Sequence, residues 1–132
     1  MAFLRRALQL FAAVWGACGL AIAVTPRWIL VSWFDQVPYP DYTYVRVSGA
    51  MAIGLSLLAV LVGRKIEDVW WWAWSFAITD AAVATIVAVN ALVGGPEGSA
   101  VTFWWLFCAL NAALAAGLLL GLGRAGQEKP FA

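Results

Sequence analysis

Four long apolar runs are the feature that most limits how this chain can fold. They cover residues 3–24, 44–63, 69–93 and 100–122. A helix of about 20 residues rises about 30 Å, the thickness of the hydrocarbon core of a bilayer. Strands that cross a membrane would alternate apolar and polar residues instead, and no such pattern is visible. The sequence therefore predicts an all-α fold, a four-helix transmembrane bundle that forms a single domain over residues 1–132.

Composition supports the same class of protein. Hydrophobic residues make up 64% of the chain and charged residues 11%, whereas a soluble domain has about 45–50% and about 25%. The net charge of +1 and the lack of a basic stripe argue against a nucleic-acid partner. We expect membrane lipid as a partner, with other membrane subunits or a second copy of the chain as further candidates.

The basic residues near the ends of the runs predict an orientation. With the N-terminus inside, six of the eight basic side chains lie on the cytoplasmic side, namely Arg5, Arg6, Arg64, Lys65, Arg124 and Lys129. Such an excess is typical of cytoplasmic loops. We therefore predict a multi-pass protein of the bacterial cytoplasmic (inner) membrane with both termini cytoplasmic. The first run has some features of a signal peptide, but we expect it to remain as the first span.

The connector over residues 25–43 is long and aromatic. Pro26, Pro38 and Pro40 forbid one continuous helix. A short piece from Trp28 to Phe34 can lie in the membrane interface with its rings among the headgroups. We predict an external cap, which is either an aromatic belt or a lid over a ligand.

The chain lacks the residues that most cofactor and catalytic sites need. It has no histidine, and its two cysteines, Cys18 and Cys108, do not form a CxxC motif. We therefore predict no metal centre and no cofactor, and we expect both thiols to be buried as small apolar groups. An enzyme is the less favoured interpretation, because one buried acid without a nucleophile offers little chemistry.

Asp80 is the strongest candidate for a functional residue, because it is an acidic residue in the middle of the third apolar run. A charged group at that depth costs a few kcal/mol, so it usually faces the bundle interior and has a partner. Counting about 1.5 Å per residue places Asp80 about 18 Å and Asn111 about 20 Å above the inner boundary. We expect a hydrogen bond between them, with Ser56 as a further donor. Arg46 lies about 9 Å beyond Asp80, so we expect it at the external interface.

Two interpretations of Asp80 remain open. In the first, it is a hydrogen-bonded clasp that fixes the third span against the fourth. In the second, it orients a ligand or carries a proton inside a cavity. The second interpretation predicts a pocket lined by Asp80, Asn111 and Ser56 and capped by the aromatic connector.

Small residues recur at every fourth position of the last run. Ala109, Ala113, Gly117 and Gly121 form a stripe that allows another helix to approach closely. Asn111 points to the opposite side of the same helix. The stripe therefore either serves another subunit or packs inside this chain, and both alternatives are open.

Arg46, Gly49 and Ala50 form an Arg-x-x-Gly-Ala element at the start of the second run, between Pro26 and Asp80 in the chain. In this layout the whole chain resembles the small four-helix bacterial membrane proteins related to the DoxX group. The resemblance implies a four-helix bundle, and some members are associated with quinone-linked or thiol redox systems. This chain lacks the cysteine pairs that a redox role requires.

These features favour a non-catalytic integral membrane binding or accessory protein. It would hold a hydrophobic ligand, such as a lipid or quinone, or pack as a subunit of a larger membrane complex. The alternative is a proton-coupled small-molecule transporter that acts as a homodimer with Asp80 as the carrier.

Overall fold

The computed structural model describes residues 1–94 and 99–129, and over these residues it is helical and contains no strand. The elements are α1 (Ala2–Val24), a short π-helix (Trp28–Trp33), α2 (Thr43–Arg64), α3 (Ile66–Val69), a 3-10 turn (Trp70–Trp72), α4 (Ala73–Val93) and α5 (Val101–Glu128). Four segments are long and apolar enough to cross a membrane: α1, α2, α3 through α4, and α5. The predicted all-α bundle of four membrane-spanning helices is confirmed.

The last helix differs most from its predicted length. It was expected to end near residue 122, but α5 continues to Glu128. Two contacts explain the extension: Ala125 is buried, and the carboxylate of Glu128 pairs with the N-terminal ammonium of Met1. The polar residues 123–128 are therefore a helical end held against α1, while residues 130–132 lie outside the described part.

Met1 and the end of α5 lie at one end of the bundle, here called the termini end. There Lys129 Nζ lies 2.9 Å from Glu67 Oε2, next to the pair between Met1 and Glu128. The opposite end, here called the connector end, carries the long connector, the end of α4 and the start of α5. Helix α1 packs along α2, α4 packs along α5, and the two hairpins join mainly through α1 and α5.

The α1–α2 seam is closed by two glycines. A Cβ atom added to Gly19 would lie 2.7 Å from the carbonyl oxygen of Gly49, and one added to Gly49 would lie 2.6 Å from the oxygen of Gly19. Such close backbone approach is the usual reason for small residues between membrane helices. Gly49 of the Arg-x-x-Gly-Ala element is therefore a packing residue in this fold.

The dense core lies in the half of the bundle near the termini end. The rings of Phe11 on α1 and Phe76 on α4 are 5.1 Å apart, and both side chains are almost fully buried. Larger buried side chains from all four spans surround them, namely Leu4, Leu8, Val62, Ile66, Trp70, Leu118 and Leu122. The interior of this half is therefore filled by side chains.

The start of α2 is held by the connector. Thr43 donates to Asp41 Oδ1 from its hydroxyl at 2.8 Å and from its backbone N–H at 2.9 Å. These hydrogen bonds, that of the hydroxyl first, hold the pKa of Asp41 below its usual range. The negative charge of Asp41 therefore stays at the N-terminus of α2, where the helix dipole favours it.

Candidate functional site

Asp80 lies on the interior face of α4 and is fully buried. The indole Nε1–H of Trp15, on α1, donates a 2.8 Å hydrogen bond to Asp80 Oδ1. The other carboxylate oxygen has no hydrogen-bond partner among the described residues. Asp80 therefore faces inward, as expected, but its partner comes from α1.

The expected hydrogen bond between Asp80 and Asn111 is absent from the described part of the chain. Asn111 is buried at about the same depth as Asp80. This depth follows from a contact between Cys108, one turn from Asn111, and Ala84, one turn from Asp80. Its side-chain Nδ2 donates instead to Phe107 O of its own helix at 2.8 Å, which turns the amide towards the connector end. Side chains on antiparallel helices lean in opposite directions, so equal depth did not bring these two groups together.

Trp15 is a partner of Asp80 that the sequence did not predict. It lies nine residues after Arg6, which places it about 14 Å above the inner boundary by the rise of a helix. Because α1 and α4 run in the same direction, the Trp15 and Asp80 side chains lean the same way. A long side chain with one N–H donor at nearly the same depth was the signal that could have identified the pair.

Ser56 and Arg46 lie apart from Asp80. Ser56 is buried in the α1–α2 seam, where its hydroxyl donates to Ala12 O at 2.6 Å. Arg46 is exposed and forms no ion pair within residues 1–94 and 99–129.

The predicted pocket lined by Asp80, Asn111 and Ser56 is not one of the two cavities described below. Aromatic side chains fill the space beside Asp80: the ring of Trp15 stacks on Phe11 at 5.4 Å, and Phe11 contacts Phe76. Ser56 borders a different groove, on the outer side of the α1–α2 seam.

A cavity of about 570 Å³ lies instead at the connector end, between α1 and α5. We call it the connector-end cavity. Its walls are mostly apolar and come from three helices and the connector: Ala17, Cys18, Ala21, Ile22, Ile29, Leu30, Trp33, Phe34, Gln36, Tyr39, Val45, Ser48, Phe103, Trp104, Leu106, Phe107 and Leu110. Its size and lining are typical of sites for small apolar molecules.

An ordered cap covers the connector-end cavity. Gln36 is buried, and its side-chain Nε2 donates to Phe34 O at 2.8 Å and to Ala100 O at 3.0 Å. The N–H of Ala100 donates back to Asp35 O at 3.1 Å, and the Phe34 and Phe103 rings are 4.6 Å apart. The connector is therefore fastened to the start of α5 by both polar and aromatic contacts.

The short piece of the connector that was expected from Trp28 to Phe34 is a π-helix over Trp28–Trp33, and its place in the membrane interface stays a prediction. Its outer rings, Trp28 and Trp33, are 54% and 67% exposed and contact each other edge to face at 5.0 Å. Trp33 also borders the connector-end cavity. This part of the connector therefore combines the features of an aromatic belt with those of a lid.

Helices α1 and α5 pack tightly near the termini end, and the connector-end cavity lies between them farther along. A Cβ atom added to Gly121 would lie 3.0 Å from Leu4 Cα, so the two backbones nearly meet there. The predicted small-residue stripe is accordingly divided. Gly121 packs inside the chain, whereas Ala109 and Ala113, nearer the connector end, are exposed.

The two cysteines are free and lie in different surroundings. Cys108 contacts Ala84 O at 3.4 Å, whereas Cys18 is exposed and borders the connector-end cavity. The expectation that both thiols are buried is therefore wrong for Cys18, and Cys108 is only partly buried. Among the described residues no group of three or more Cys, Asp or Glu side chains is arranged to hold a metal ion.

Comparisons with protein-family models, with curated proteins and with solved structures found no significant match to this chain. The resemblance to the DoxX group therefore stays a prediction.

Proposed function

We propose that this protein is a non-catalytic integral membrane protein that binds a hydrophobic molecule, such as a lipid or quinone, in the connector-end cavity. The observation that supports the proposal is an apolar space of about 570 Å³ beneath an ordered cap. Ligand sites of about 300–1,000 Å³ with mainly apolar walls are common in proteins.

The surroundings of the cavity suggest how the molecule enters. Leu106 and Leu110 line the cavity and are 60% and 37% exposed, so the space opens sideways between α1 and α5. In a bilayer this opening faces the acyl chains. The hydrophobic molecule therefore enters from the membrane, while Gln36 holds the cap over its outer end.

Native mass spectrometry of the full chain, released from a mild detergent, tests the proposal. We expect one apolar molecule per chain, which organic extraction then identifies. Ala17→Phe places a ring in the cavity and removes the bound mass. Ala82→Phe, on an exposed position of α4 away from the cavity, retains it.

A wild-type chain without the added mass, or an Ala17→Phe chain that keeps it, contradicts the proposal. The same spectra report any second subunit. The exposed Ala109 and Ala113 provide a smooth surface for such a partner if the protein serves as an accessory subunit.

The second candidate is a proton-coupled transporter that works as a homodimer. It is favoured by one observation, the buried Asp80 oxygen that has no partner among the described residues. Asp80→Asn separates the candidates. A clasp accepts the amide with binding unchanged, whereas a proton carrier folds but loses coupled transport in proteoliposomes.

We further propose that the protein resides in the bacterial cytoplasmic membrane with both termini in the cytoplasm. Six of the eight basic residues support this orientation. Reporter fusions at Lys129 and within the connector near Tyr39 test it. Opposite sides are expected for the two fusions, with the C-terminal one cytoplasmic.

A further inference from the structure

A groove of about 660 Å³ lies at the termini end, on the outer side of the α1–α2 seam. It is separate from the connector-end cavity and shares no lining residue with it. Arg5 and Arg64 stand at its mouth, one from each helix. Its walls farther into the span are small or apolar, with Ala12, Ala13 and Val60 among them.

The two guanidinium groups are poorly neutralised. Arg5 lies 3.8 Å from Glu67 Oε1, but Glu67 makes its closer contact, of 2.9 Å, with Lys129. The carboxylate of Glu128 pairs with the N-terminal ammonium of Met1 and not with either guanidinium group. Arg64 forms no ion pair with any residue that the structure describes. The mouth of the groove therefore carries two positive charges that remain available to an anion.

Phosphate groups suit such a pair, because guanidinium binds them through two parallel hydrogen bonds. A free phosphate would use only the mouth. The groove continues from Arg64 to Ser56, eight residues along α2, or about 12 Å at the rise of a helix. A mainly apolar groove of that length below a cationic mouth matches a lipid with a charged headgroup and an acyl chain.

We propose that this groove binds one anionic phospholipid, with its phosphate between Arg5 and Arg64 and an acyl chain along Ala13 and Val60. Gln9 is exposed and lies on α1 one turn from Arg5 and one turn from Ala13. Its side-chain amide N–H donates to the glycerol or ester oxygens of the lipid. Basic pockets between membrane helices are known to hold acidic lipid headgroups. This site does not depend on the ligand of the connector-end cavity.

Lipid titration of the purified full chain in native mass spectrometry tests the site. The probes are dioleoylphosphatidylglycerol and dioleoylphosphatidylcholine, and phosphatidylglycerol is expected to bind more tightly. Because each variant removes charge-assisted hydrogen bonds to the phosphate, Arg5→Gln and Arg64→Gln should each weaken phosphatidylglycerol binding by about tenfold.

The neighbouring positions provide matched controls. Arg6 and Lys65 carry the same charge at the same end but do not line the groove. Arg6→Gln and Lys65→Gln should change phosphatidylglycerol binding by less than about twofold. Circular dichroism verifies that all four variants remain helical.

Val60→Trp narrows the groove without altering the charges. It should weaken phosphatidylglycerol binding, and soluble glycerol phosphate should not compete with the lipid. Equal losses in all four charge variants would show a general surface potential instead of a site. Competition by glycerol phosphate, or equal binding of the two lipids, would also overturn the proposal.

Discussion

The two halves of this bundle use the same helix in opposite ways. Near the termini end, α1 presents the large side chains Leu4, Leu8 and Phe11 to its neighbours, and they are fully buried. Near the connector end the same helix presents Ala17 and Ala21, which leave the connector-end cavity beside them. A change from large to small residues along one helix therefore accompanies the change from a packed core to a cavity.

This difference matters because membrane helices associate through close packing. Lipid tails are as apolar as the helices, so contacts between atoms and hydrogen bonds provide most of the attraction. Side chains that line an empty cavity have no atoms opposite them and lose those contacts. A hydrophobic molecule in the connector-end cavity would restore the contacts that buried side chains provide near the termini end.

The largest expected effect compares two phenylalanines. Phe11→Ala removes a fully buried ring from the termini half and should lower the free energy of unfolding by about 3–5 kcal/mol. Phe107→Ala removes a ring that already borders the connector-end cavity and should cost less than about 1.5 kcal/mol. Equilibrium unfolding in mixed micelles measures both values. Equal losses would show that the halves are packed alike.

The next comparison concerns the α1–α2 seam, which stays closed even in the connector half. Gly19→Ala pushes a Cβ atom against the Gly49 carbonyl, so it should cost about 1–3 kcal/mol. Gly54→Ala, on the open side of α2, meets no atom within 4 Å and should cost nothing. Thermal unfolding in detergent is the measurement. Similar melting temperatures for both variants would argue against the close crossing.

Asp80 marks the border between the halves, and its hydrogen bond provides the third comparison. Trp15→Phe removes the only donor to this carboxyl group among the described residues and should cost about 1–3 kcal/mol. Trp74→Phe, on an exposed surface of α4, is the matched control and should be neutral. In the Asp80→Asn background the cost of Trp15→Phe should shrink. An undiminished cost there would mean that Trp15 acts only through packing.

The smallest effect is local to the cap. Gln36→Leu removes two hydrogen bonds and should lower the free energy of local opening of the cap by about 1–2 kcal/mol. The global melting temperature should not change. Hydrogen exchange of residues 28–37 should then accelerate. Gln127→Leu, on the exposed end of α5, should leave that exchange unchanged. A fall in global stability would place Gln36 in the core instead of in a cap.

Much of the fold could be predicted because the length of an apolar run determines whether it can cross a bilayer. Depth could also be predicted, since a helix rises by a constant step per residue, and this placed Asp80 and Asn111 at one level. The rotation of each helix about its own axis, and which helices pack side by side, could not be derived from the number of residues. The partnership of Asp80 with Trp15 and the position of the cavity depend on those two quantities.

A crystal structure of the protein grown from a lipid phase would show whether the connector-end cavity holds a ligand. We expect elongated density of one bound molecule between residues 17–22 of α1 and residues 103–110 of α5, beneath Phe34. Helices α1 and α5 packed against each other at the connector end, with no space between them, would contradict this expectation.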